Sequence, residues 1–144
     1  LGQGRFVLVA RVKLAGTAGV DIVGTDLKQV TVKQKNRKKV QNHIGSVHAA
    51  GMALLAESAT GFIVGVNLPG DKLPLIKNMN LNYVKRATGD MQAVASLSDQ
   101  QILQLQTQDK GEVTVKVTVT DAMGVEPVVA EMVWAWVPKV KKTQ

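Results

Sequence analysis

The residues of this chain whose types and spacing could do chemistry are two histidines and one glutamate. His43 and His48 stand just upstream of a long apolar stretch, and Glu57 is the one formal charge between residues 44 and 70. Burying an unpaired carboxylate costs several kcal/mol, so it must be paired, protonated or turned toward a cleft. On a helix, Glu57 has Ala53 and Gly61 four residues away and Leu54 and Thr60 three away. The Thr60 hydroxyl is then the one polar group the helix offers it. A carboxyl so placed is expected to hold its proton to higher pH than usual, which suits a general base or a nucleophile. The competing reading is structural: a lysine or a backbone amide from another strand meets it.

Helical geometry narrows the choice. His48 and Glu57 are nine residues apart, which on a helix is ~900° of rotation and ~13 Å of rise. They point to opposite faces, so either one of them is silent or a site is assembled from two chains. A helix beginning near residues 46 to 48 also leaves free amides in its first turn, able to bind an oxyanion or a phosphate. Gly45, Ala49, Ala50 and Gly51 are small enough to let a carbonyl approach those amides. A metal site from His43, His48 and Glu57 is disfavoured, because the carboxylate lies over two turns beyond the histidines.

The elements that must position these groups follow from hydrophobic periodicity. Residues 46 to 64 read as one helix, apolar on almost every face, which belongs in a core covered on all sides. His48, Glu57 and four glycines break the surrounding run short of the ~18 residues that span a bilayer. "GTAGVDIVGTDLKQVTVKQ" reads as a strand kinked at Gly24-Thr25-Asp26. The alternation of Phe6, Leu8, Ala10, Val12 and Leu14 fits a strand, although a short helix also fits. Pro69-Gly70 suits the centre of a turn that ends the helix. Strands are then expected at 78–84, 90–97, 112–120 and 128–137, the last apolar on both faces and so central or in an interface. Between two of them, Ser98 with Gln101 forms a capping-box pattern for a short helix. The economical packing is an α+β domain, an antiparallel sheet wrapped around one long central helix.

Composition bounds the rest. A chain of 144 residues is one domain, read as 1–144 with its core at about 18–138. No cysteine is present, which removes disulfides and thiolate chemistry and agrees with a cytoplasmic location. Eighteen Lys and Arg oppose eleven Asp and Glu, a net charge of +7 with five of the basics in "KQKNRKK" (33–39). Such a surplus attracts anions, yet aromatics are only 3% and no stacking platform for nucleic acid is visible. No membrane partner is expected. Neither G-x-S-x-G nor G-x-x-x-x-G-K-S/T occurs, so serine-hydrolase and P-loop readings have no support.

The pattern "N…G-x-x-H-A-A-G-x-x-x-x-A-E" resembles the signature of hotdog-fold acyl-CoA thioesterases of the phenylacetic-acid-degradation and 4-hydroxybenzoyl-CoA thioesterase type. One branch that reads "NHIG…HA…LAE…TG" is closer still. In that family an Asn and a Gly precede H-G-G at the start of the central helix, and an acid follows. Here Asn42, Gly45, His48 and Glu57 match, while Ala49 and Ala50 stand where the paired glycines would be. The resemblance implies a hotdog fold working as a homodimer or a dimer of dimers. It implies hydrolysis of an acyl-CoA without any cofactor beyond the coenzyme A of the substrate. Glu57 would then be base or nucleophile, and the Ala49 amide from the opposite subunit would polarise the thioester carbonyl. His48 would orient the carbonyl or sulfur, Asn42 would hold the loop or a water, and Gly45, Ala50 and Thr60 would line the substrate. Lys85 and Arg86, with Arg37, Lys38 and Lys39, are the candidates for the coenzyme phosphates. Two other readings remain in view: a non-catalytic module binding acyl-CoA or another apolar ligand, and a 3-hydroxyacyl dehydratase. The second lacks its "H-F-P-G" loop, since no proline occurs before residue 69.

Overall fold

The computed structural model describes residues 18–140, so the alternating segment at residues 6 to 14 lies outside the described part. The first two strands are β1 (Val20–Thr25) and β2 (Gln29–Gln34), an antiparallel hairpin where the sequence suggested one kinked strand. The reason is local. Asp26 Oδ1 accepts the N–H groups of Lys28 and Gln29 at 2.7 and 2.8 Å, and Asp26 N–H donates to Gln29 O at 2.9 Å. An aspartate closing on its own backbone makes a turn rather than a bend within a strand.

A 3-10 turn at Lys38–Val40 leads to helix α1 (Ala49–Asn67). It starts three residues later than the periodicity indicates, because His48 caps it. By length and composition α1 could cross a bilayer; here Leu55, Ala56, Ala59, Ile63 and Val64 are fully buried in the core instead. Its C-terminal end is tied down by Asn67, whose amide donates to Ile63 O and Leu27 O, both at 2.8 Å.

Four strands follow: β3 (Lys72–Tyr83), β4 (Met91–Ser96), β5 (Gly111–Thr120) and β6 (Val128–Pro138). The turn before β3 runs from Pro69 O to Lys72 N at 3.1 Å, so Gly70 and Asp71 are its central residues. Strand β3 begins six residues earlier than its alternation suggests and runs through Pro74. Proline is tolerated because β3 is an edge strand among the described strands, paired with β6 on one side. The six strands form one antiparallel sheet in the order β1-β2-β4-β5-β6-β3. Strand β5 pairs with β6 through Gly111 to Val115 and with β4 from Lys116 onward, so the sheet turns at β5 and curls over α1. A short helix α2 (Asp99–Thr107) carries the expected capping box of Ser98 and Gln101.

The core lies between sheet and helix. Val30, Val32, Ala93, Ala95, Val115, Val119, Met132 and Trp136 face α1 from four strands. One contact fixes the height of α1 on the sheet. Trp134 Nε1–H donates to Thr60 Oγ1 at 2.8 Å, and the indole lies so close to Gly61 that an added Cβ would sit 2.7 Å from ring carbons.

Candidate functional site

The loop before α1 is built by Asn42. Its Oδ1 accepts the N–H groups of Ile44 and Ser46 at 3.0 and 3.1 Å, and Gly45 turns with φ +78°, a conformation that suits glycine. Ser46 Oγ then donates to Ala87 O at 3.0 Å. This brings the segment after β3, which carries Lys85 and Arg86, beside the helix start. Both cations are exposed.

His48 is the cap. Its Nδ1 accepts the Ala50 N–H at 3.0 Å. A neutral imidazole with Nδ1 as acceptor carries its proton on Nε2, so the free edge of His48 is a donor facing solvent. The Ala49 N–H, one residue before, meets no acceptor among the described residues. A peptide donor and an imidazole donor thus stand together at the start of α1, where a carbonyl oxygen could be received.

The opposite side of the Ala49–Ala50 peptide is held by a residue that sequence reasoning missed. The Tyr83 hydroxyl, at the end of β3, donates to Ala49 O at 2.6 Å. Burial pushes the Tyr83 phenol above its ordinary range. In the strand expected at 78–84, Tyr83 alternates onto one face with Met79 and Leu81, but only the three-dimensional meeting of β3 with the helix start reveals the contact.

Glu57 lies two turns along α1, between the Tyr83 contact and the Trp134 contact. It is half-buried, and desolvation raises its carboxyl above the usual glutamate range. Among the described residues no cation and no donor reaches it. The paired, structural reading of this carboxylate therefore has no partner to rest on. Thr60, expected beside a ligand, is fully buried, and its hydroxyl donates to Ala56 O at 2.8 Å and accepts from Trp134. No group of three or more metal-ligating side chains occurs among the described residues. One chain thus brings Asn42, Gly45, His48, Ala49, Ala50, Lys85 and Arg86 to one end and leaves Glu57 apart from them.

A protein-family model described as a domain of unknown function, DUF4442, matches residues 4–137. The chain belongs to that family. Solved structures similar to this DUF4442 domain include a Pseudomonas aeruginosa protein of unknown function, described as a probable thioesterase. It is 22% identical, with 96% of this chain and 95% of that one covered and a TM-score of 0.85. A thioesterase-family protein from Silicibacter pomeroyi is 13% identical over 96% and 98% of the two chains, with a TM-score of 0.72. A variant of a thioesterase enzyme from Staphylococcus aureus is 19% identical over 88% and 100%, also at 0.72. No curated protein matches the chain. The DUF4442 domain has the hotdog fold, the sheet wrapped around a central helix that the sequence suggested.

Proposed function

We propose that this protein is an acyl-CoA thioesterase whose active site is completed by a second copy of the chain. The single observation that carries the reading is Glu57: a half-buried carboxyl of raised pKa, with no partner among the described residues, on the helix that also offers the oxyanion donors. The names of similar structures point the same way, since several are described as thioesterases.

In the proposed reaction the Ala49 N–H and His48 Nε2–H of one chain receive the thioester oxygen and stabilise the negative charge that develops there. Glu57 of the partner copy takes a proton from the attacking water and returns it to the coenzyme A sulfur as the C–S bond breaks, leaving the free acid. In the alternative it adds to the carbonyl itself, the thiolate leaves and takes a proton from solvent, and water then hydrolyses the acyl-glutamyl anhydride to the acid and free Glu57. Asn42 fixes the loop that sets His48, and Gly45 and Ala50 leave room for the acyl carbonyl. Lys85 and Arg86 attract the coenzyme phosphates at the mouth. The outer edge of β3, unpaired among the described strands and carrying exposed Leu73, Leu75, Ile76 and Met79, is where the second copy is expected to join, because an open edge with apolar side chains seeks a partner.

Thiol release from short, long and aromatic acyl-CoAs, measured with wild type and Glu57→Gln, tests the reading. Turnover of at least one substrate that Glu57→Gln abolishes supports it. No release from any substrate, with acyl-CoA still bound, would make the domain a binding module.

A further inference from the structure

Three loops are laced together at the N-terminal end of α1. The Asn36 amide donates to Gly45 O at 3.0 Å, and Asn36 N–H donates to Asp90 Oδ1 at 2.8 Å. Ser46 reaches Ala87 O, Ala122 N–H donates to Thr88 O at 3.1 Å, and Thr88 N–H donates to Asp121 Oδ2 at 3.0 Å. The 35–48, 84–90 and 121–127 segments therefore form one surface around His48.

Its charge is one-sided. Lys35, Arg37, Lys38, Lys39, Lys85 and Arg86 stand on these loops, and none meets a carboxylate within ion-pair distance among the described residues. The acids there are Asp90, Asp121 and Glu126, the first two already engaged with backbone N–H groups. Three cations elsewhere in the domain are paired, Lys28 with Asp99 at 2.7 Å, Lys72 with Asp109 at 3.0 Å, and Lys77 with Glu112, whereas Lys33, Lys110, Lys116 and Lys139 are scattered along the chain. The same surface carries apolar tips. Ile44 is 47% exposed, Val84 57% and Met123 73%, and Val84 and Lys85 are held by the Pro127 carbonyl at 2.8 and 3.2 Å.

Cations alone would serve a small anion. Exposed apolar tips set among them fit a protein face that is acidic and carries apolar groups of its own. The position decides what that protein brings, because the surface surrounds the donors that would receive a thioester. We propose that this end of the domain docks an acidic carrier protein, which delivers its acyl thioester on a flexible arm. The inference rests on the thioesterase reading above and adds the identity of the thioester's carrier.

The test uses the full chain and one acyl group offered two ways, as acyl-CoA and as the thioester of an acidic acyl carrier protein. Binding is measured separately with the carrier loaded with a non-hydrolysable acyl amide. The carrier is expected to bind, more weakly as salt rises. A Val84→Ser/Met123→Ser double variant should raise the KM for the carrier thioester about tenfold and leave the KM for acyl-CoA unchanged. Lys38→Glu/Lys39→Glu should weaken carrier binding and flatten its salt dependence. Equal losses on both substrates in the Val84→Ser/Met123→Ser variant would overturn the proposal. So would tight binding to anionic phospholipid vesicles that the Val84→Ser/Met123→Ser variant abolishes, since the tips would then serve a lipid surface. Hydrolysis of acyl-CoA with no carrier binding overturns the docking and leaves the catalytic reading intact. Carrier binding without hydrolysis of either thioester keeps the docking and removes the catalysis.

Discussion

Glu57 was legible as an anomaly before any fold was known, because a lone charge in an apolar run demands an explanation. What the chain order could not convey was its surroundings. Desolvation alone raises its pKa, and the sign of the consequence can be worked out. The folded carboxyl keeps its proton at pH values where the unfolded one has lost it. The folded state therefore binds more protons in that window, and stability falls as pH rises through it. Glu57→Gln is expected to be more stable than wild type at neutral pH, with the advantage vanishing below the ordinary glutamate range. Melting temperatures across pH check this; a variant less stable than wild type at every pH would show that the carboxylate is held by a favourable partner. In the same variant kcat should fall by about 10²–10⁴ if Glu57 is the base. Wild-type activity should rise with pH as the carboxyl ionises. His48 illustrates the opposite case. Its residue type suggested chemistry, but its role as helix cap was hidden, since caps are ordinarily Ser, Thr, Asp or Asn.

Elements were read best where one face is buried and worst where a turn or edge decides. The alternation of Met91, Ala93 and Ala95 and of Val113 and Val115 is the alternation of buried side chains in β4 and β5. The β1–β2 hairpin is hidden because Gly24-Thr25-Asp26 reads as a kink within one strand, and the first half of β3 is hidden because its alternation becomes regular only from residue 78. Both have one cause: a turn and an edge are relations between strands, which periodicity within a strand does not contain. Two substitutions probe how α1 is set on the sheet. Gly61→Ala ought to gain about 1 kcal/mol of helix propensity. Its methyl would sit 2.7 Å from the Trp134 ring, and overpacking of that kind costs about 1–3 kcal/mol, so net destabilisation is expected on chemical denaturation. Thr60→Val removes the acceptor of the buried Trp134 N–H and should cost about 1–3 kcal/mol. If Gly61→Ala proves stabilising, the helix can shift away from the indole and the contact does not fix its height.

For the whole molecule, the sheet-around-helix arrangement followed from one observation, that an all-apolar helix needs cover on every side. The oligomer is a further step. A single chain carries peptide and imidazole donors at one end of α1 and the Glu57 carboxylate two turns away, and among the described strands β3 pairs on one side only. If two chains each contribute half of a site, activity must be recoverable from two inactive proteins. Glu57→Gln retains a sound His48, and His48→Ala retains a sound Glu57. In a dimer formed from one of each, the His48 of the first faces the Glu57 of the second, giving one intact site and one doubly broken one. Random exchange at equal concentrations makes half of all dimers mixed, so the equilibrated mixture should regain about a quarter of wild-type activity. Each variant alone stays inactive, and a Met79→Arg change on both partners, aimed at the exposed face of β3, should abolish the recovery together with the dimer seen by ultracentrifugation. Recovery requires that the two groups meet across an interface; a site formed within one chain gives none at any mixing ratio.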